Sequence, residues 1–370
     1  MDKIVGKKHF EYLDYAKGIG IFFVVLGHDL QLHSNMLRVG RMSARYIYAF
    51  HMPLFFIISG IGLFYKLHDL DSVDLRAETK RLTKRLLLPY LFWSAIYTFL
   101  SVGWHFIQGE PNWFMSMMHH GYITATGFGV APLWFLAELF TIEVSFLWLW
   151  RILKCRKFRD SACVWGGVLV ITAIISAECK ILFYAIPVDD LCILLKYPLI
   201  ALFRFFPSPV FLIAGFMFGS AFAKCHAILQ KQTVLFFAAF LSGAVFWIFE
   251  HFSGNRVNMY RFQLGNVWVL FITGIFGSLT VLFFSMLLPY NLRFLRELGR
   301  ESLHLMVLHY PPIPTLRMLV ILLDPYSSPM TWLLETASTI LFLCICIKCV
   351  LNPLRNWIAA WVANCRGEKE

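Results

Sequence analysis

Long apolar runs recur along this whole chain, and no other feature constrains its fold as strongly. Runs near 11–32, 46–65, 86–107, 131–150, 162–184, 208–223, 232–250, 264–288, 302–323 and 331–351 approach the length of a membrane-crossing helix, about 17–25 residues. Within hydrocarbon every backbone N–H and C=O must find its partner inside the segment, so such runs fold as helices. The expectation is an all-α, polytopic integral membrane protein with about ten transmembrane helices. Only 15% of the 370 residues are charged and 59% are hydrophobic, whereas about a quarter of a soluble chain is charged. The sixth run is short. The stretch LCILLKYPLIALFRFFPSP before it carries Lys196, Arg204 and three prolines, and reads as a re-entrant or interfacial segment.

Basic residues orient the bundle. Of the 33 Lys and Arg residues, 22 fall on the side of the N-terminus and 9 on the other, with Lys17 and Lys348 inside spans. The positive-inside tendency therefore places both termini in the cytoplasm. The same clustering between spans accounts for the net charge of +11 without nucleic acid. The first run lacks a small-residue cleavage site and is expected to act as a signal anchor. A single membrane-embedded domain over 1–370 is expected, with no soluble domain appended. The nine cysteines show no metal-binding spacing. Cys344, Cys346 and Cys349 read as small buried hydrophobes, and a Cys179–Cys192 disulfide on the outer face stays open.

The first run, YLDYAKGIGIFFVVLGHDL, holds Asp14, Lys17 and His28. Eleven residues of α-helix turn through about 1100°, so Lys17 and His28 project within roughly 20° of each other, about 16 Å apart along the axis. Asp14 lies one turn before Lys17 on nearly the same face. Facing lipid, such groups would cost several kcal/mol, so the stripe should face a protein cavity. Two plainer readings compete: Lys17 snorkelling to the inner interface, and His28 as an interfacial histidine. Alignment on one face favours function. A neutral imidazole suits a general base near pH 7, and a lysine below it could attract an anionic ligand from the cytoplasm.

LDYAKGIGIFFVVLGH resembles the first-helix signature of the membrane acyltransferase-3 family, within it bacterial O-acetyltransferases that modify O-antigen, lipopolysaccharide and other surface polysaccharide or lipid-linked sugars. FHMPLFFIISG, KRLTKRLLLPYLFWS, PLWFLAELF, PVFLIAGFMFG and LGRESLHLMVLHYP resemble the family's later landmarks, in the same order. One position departs. The family usually has arginine where this chain has Lys17, which keeps the charge but gives up bidentate recognition of phosphate or carboxylate.

The resemblance implies an integral protein of the bacterial cytoplasmic (inner) membrane. It would move an acyl group, most often acetyl, from cytoplasmic acyl-CoA to a hydroxyl of a lipid-linked or polymeric glycan. His28 would be the catalytic general base, and a covalent acyl-histidine is the open alternative. Acetyl-CoA would be a donor substrate; no permanently bound cofactor and no metal is expected. Lys17 and Asp14 would lie where the CoA arm passes. Arg81 and Arg85 would contact CoA phosphates, although a basic cluster at that place also serves as an ordinary inner-face anchor. His51 could help bind the acceptor or be a hydrogen-bonded structural histidine. Glu138, a carboxylate in an apolar span, could orient His28 or bind sugar hydroxyls, and Trp134 could stack on a sugar or anchor the interface. Glu143 projects about 140° from Glu138 and need not share its pocket. The arginine- and lysine-free stretch 108–130 suits an outer vestibule for a neutral glycan. Partners besides acyl-CoA and glycan would be membrane lipid, with oligomeric state left open. The rival readings are a polytopic glycan or lipid-precursor transporter or flippase, and a non-catalytic scaffold. The first-helix pattern does not repeat in the second half, and the aligned ionisable groups disfavour a scaffold.

Overall fold

A computed structural model describes residues 11–33, 38–68, 74–109, 111–155, 161–289, 291–310 and 329–353. These residues are helical nearly throughout, and the β-structure among them is an isolated bridge between Asn258 and Gln263. Fifteen helices follow in order: α1 (Glu11–His33), α2 (Arg38–His68), α3 (Leu75–Leu82), α4 (Leu88–Ile107), α5 (Trp113–Ala125), α6 (Trp134–Cys155), α7 (Ala162–Ala185), α8 (Ile193–Arg204), α9 (Ser208–Lys224), α10 (His226–Leu229), α11 (Gln232–Ser253), α12 (Val267–Leu287), α13 (Arg293–Arg300), α14 (Ser302–Leu308) and α15 (Pro329–Cys346). Two π-helical turns interrupt this pattern, Thr83–Leu87 between α3 and α4 and Ile347–Leu351 after α15.

Among the described residues, seven segments are long and apolar enough to cross a membrane: Gly40–Leu67, Leu75–Ile107, Ala162–Ala185, Ile193–Lys224, Gln232–Ser253, Val267–Leu287 and Met330–Cys349. Helices α1 and α6 match the length of a span but fall outside this set. The reason is chemical: α1 holds Asp14, Lys17, His28 and Asp29, and α6 holds Glu138, Glu143 and Arg151. The outward faces are apolar, with Phe99, Ile107, Phe252 and Phe240 among the most exposed side chains, as lipid contact requires.

Several expectations are refined. The stretch 108–130 is not an open loop, since α5 occupies its middle. The prolines of 191–209 do not break the chain from the next run; α8 continues through a turn into α9 as one apolar segment of 32 residues. Cys179 and Cys192 are free thiols. The later half of the expected ninth span lies outside the described residues.

The chain forms two compact units, Met1–Ala44 with Tyr290–Glu370, and Arg45–Pro289. In the first unit α1 packs on α13, α14 and α15. Gly299 makes this possible, because a Cβ there would overlap the backbone carbonyl of Asp14. In the second unit Gly60 of α2 faces Leu212 and Phe216 of α9, while Gly215 faces Ile57; a Cβ at either glycine would overlap a backbone carbonyl. Small residues that let backbones touch are how helices associate in lipid, where the hydrophobic effect gives no drive.

Candidate functional site

The polar stripe of α1 begins at an ion-pair ladder in the first unit. Asp14 is 1% exposed, and its carboxylate accepts hydrogen bonds from Lys17 Nζ at 3.2 Å and from Arg300 Nε at 3.3 Å. One turn earlier, Arg296 Nη1 donates to Glu11 at 2.7 Å. Lys348 Nζ donates to Glu297 at 2.8 Å; this bond and the ammonium charge hold the Glu297 carboxyl below the usual carboxylate range. A cavity of about 280 Å³ opens here between α13 and the end of α15, lined by Leu298, Arg300, Glu301, Cys344 and Lys348 among others. Lys17 is 32% and Arg300 49% exposed along their side chains, and the Asp14 carboxylate holds both cations at this end of α1. In the sequence Arg300 is one inner-face charge within LGRESLHLMVLHYP, with no sign of a partner on α1. Its contact with Asp14 joins residues 286 positions apart, beyond any local pattern.

His28 stands at the other end of the stripe, half-buried. Its ring lies 5.1 Å from that of His309, centroid to centroid, and 5.9 Å from Tyr310 in an edge-on arrangement. His309 follows α14 and is fully buried. Its Nδ1 lies 2.8 Å from the Met306 carbonyl oxygen and 3.2 Å from that of Leu305. Carbonyl oxygens only accept, so Nδ1 carries the proton and Nε2 the lone pair. Asp29, beside His28, is 1% exposed. The apolar run around Asp29 gave no reason to separate it from an interfacial residue. His309 had one signal, its place in LGRESLHLMVLHYP.

The remaining sequence-selected residues belong to the second unit. Glu138 is buried, receiving Arg204 Nε at 2.6 Å and Ser208 Oγ at 2.5 Å. The Arg204 guanidinium also donates to the carbonyls of Gly127, Phe128 and Tyr260, and its Cζ lies 4.6 Å from the Trp134 ring centroid. Both Glu138 oxygens and one face of Trp134 are thus engaged by protein. Glu143 sits apart from Glu138 in its contacts, bound by Arg85 Nη2 at 2.8 Å and Ser59 Oγ at 2.5 Å. Arg81 Nε donates to Glu78 at 3.0 Å, and Lys66 reaches the same carboxylate. Arg81 precedes the π-turn and Arg85 lies within it, and they pair with carboxylates on α3 and α6; their side chains are 44% and 45% exposed. His51 is buried with Nδ1 donating to the Ile47 carbonyl at 2.8 Å and its ring edge-on to Tyr48.

The arrangement at α1 combines a cation-bearing end with an imidazole that has a second imidazole beside it. Chemically, two adjacent imidazoles can take up and release a proton. The acyltransferase-3 family model, an acyltransferase domain, matches residues 10–351. The nodulation protein NolL of Sinorhizobium fredii (strain NBRC 101917 / NGR234) is 40% identical over 89 residues, 22% of this chain and 23% of that protein. The matched part is thus under a quarter of that relative's length. No solved structure matches the chain. A family of acyltransferases favours the enzyme over a transporter or flippase. The chain therefore belongs to the acyltransferase-3 family.

Proposed function

We propose that this protein is an O-acyltransferase that carries an acyl group, acetyl in the first instance, from acyl-CoA to a hydroxyl of a lipid-linked or polymeric glycan. The observation that carries the reading is the stripe on α1: Asp14-bound Lys17 and Arg300 at one end, His28 beside His309 at the other. With the N-terminus in the cytoplasm of a bacterial inner membrane, the cationic end meets the donor where acyl-CoA is made. Lys17 and Arg300 would take CoA phosphates, with Arg81 and Arg85 as further contacts. His28 removes the acceptor's hydroxyl proton as the oxygen attacks the thioester carbon. The C–O bond forms, the C–S bond breaks, and the proton passes from His28 to the departing sulfur. General base catalysis of this kind contributes about 10²–10⁴ in rate. The acceptor-side assignments of His51, Glu138 and Trp134 carry less weight, since each already makes the protein contacts above.

The test is transfer of label from acetyl-CoA to a glycan in membranes containing the protein. Mass spectrometry of surface polysaccharide then identifies the group added and the sugar that bears it. Transfer that needs acetyl-CoA and the protein supports the reading. An added group of another mass would move the donor to another acyl-CoA, and no transfer from any acyl-CoA would remove the enzyme assignment.

A further inference from the structure

His309 presents a chemical oddity. It is fully buried, its Nδ1–H is spent on two carbonyls of its own helix, and its Nε2 has no hydrogen-bond partner among the described residues. A buried acceptor left unmade costs about 1–3 kcal/mol, so a fold keeps one where a donor arrives at another stage. Complete burial argues against a substrate reaching it directly. The neighbour that can change its proton count is His28, whose ring centre is 5.1 Å away with the planes tilted by 39°.

We propose that His309 is a positioning residue whose Nε2 accepts an N–H from His28 once His28 has taken the acceptor's proton. This rests on the reading of His28 as the base. The carbonyls of Leu305 and Met306 fix the tautomer of His309, so the lone pair is always the one available. The χ2 torsion of histidine is broad, and a small ring rotation brings the nitrogens into hydrogen-bond range. When the C–O bond forms and the C–S bond breaks, the hydroxyl proton resides on His28 as imidazolium. His309 then supplies the hydrogen bond that water would give outside the membrane. The proton next leaves to the thiolate of CoA, and both imidazoles return to neutral. No further co-reactant enters the balance.

The experiment compares His309→Phe, which keeps a ring and loses the acceptor, with His309→Gln, which restores an oxygen acceptor. Purified proteins are assayed with acetyl-CoA and glycan, folding being checked by size-exclusion chromatography. For His309→Phe a 10- to 100-fold loss in kcat is expected, with KM for both substrates within about threefold, the range a hydrogen bond to a charged group spans. His309→Gln should recover at least a third of that loss on a logarithmic scale. Adding His309→Phe to His28→Ala should cost nothing more, because the effect acts through His28. An unchanged kcat, a loss carried by KM, a Gln variant no better than Phe, or an additive double variant would each overturn the proposal. If His28→Ala alone keeps full activity, it is the base assignment that fails. A His309→Phe protein that does not fold leaves His309→Gln to decide: it then must retain a folded protein with kcat within about tenfold of wild type, and a larger loss at unchanged KM overturns the role of the acceptor.

Discussion

Asp14 accepts from two cations, and this sets how Lys17 should respond to substitution. With Lys17→Ala, Arg300 still compensates the buried carboxylate, so the protein should fold while KM for acyl-CoA rises several-fold, as loss of a charged hydrogen bond implies. Lys17→Arg should stay within about twofold, measured by initial rates over a donor titration. Arg204 should behave differently, because among the described residues its partner Glu138 has no second cation. Arg204→Met leaves a carboxylate buried beside Ser208, and breaking such a pair typically costs about 3–5 kcal/mol. A clear drop in thermal stability in detergent is the expected result; replacing Glu138 with Gln as well should recover part of it. The two pairs also differ in legibility. Asp14 and Lys17 are three residues apart, so helical geometry alone brought them together. Glu138 and Arg204 are separated by 66 positions, and their contact depends on how α6 and α8 pack, which no local spacing encodes.

Helix length and composition account for what could be read at the level of elements. Runs of spanning length became helices wherever they are described, because lipid leaves the backbone no other choice. Helix α5 escaped notice: it has 13 residues, too few to cross hydrocarbon, and is ringed by glycines. The π-turn at Thr83–Leu87 was equally invisible, since its residues differ little from those of an ordinary basic helix start, and it sends Arg81 and Arg85 to separate partners. Glycine packing gives a paired prediction on α2. Gly60→Val would drive a side chain into the α9 backbone, whereas Gly62 faces open space. The first change should abolish recovery of monodisperse protein, and Gly62→Ala should be neutral or gain up to about 1 kcal/mol by helix propensity. Equal effects of the two changes would show that α2 and α9 do not approach through Gly60.

For the molecule as a whole, the distribution of basic residues predicts a bundle with its N-terminus in the cytoplasm. A reporter that functions only outside the cytoplasm should therefore be active when inserted near Gly254, and inactive near Arg76. The reverse pattern would invert the path proposed for the donor. That path ends at His28, and the account stands or falls there. The most direct measurement is transfer of labelled acetyl from acetyl-CoA to glycan by purified wild-type protein and by His28→Gln in matched folded amounts. The account predicts transfer by the wild type and a loss of at least about a hundredfold in the variant. Transfer undiminished by His28→Gln would contradict it.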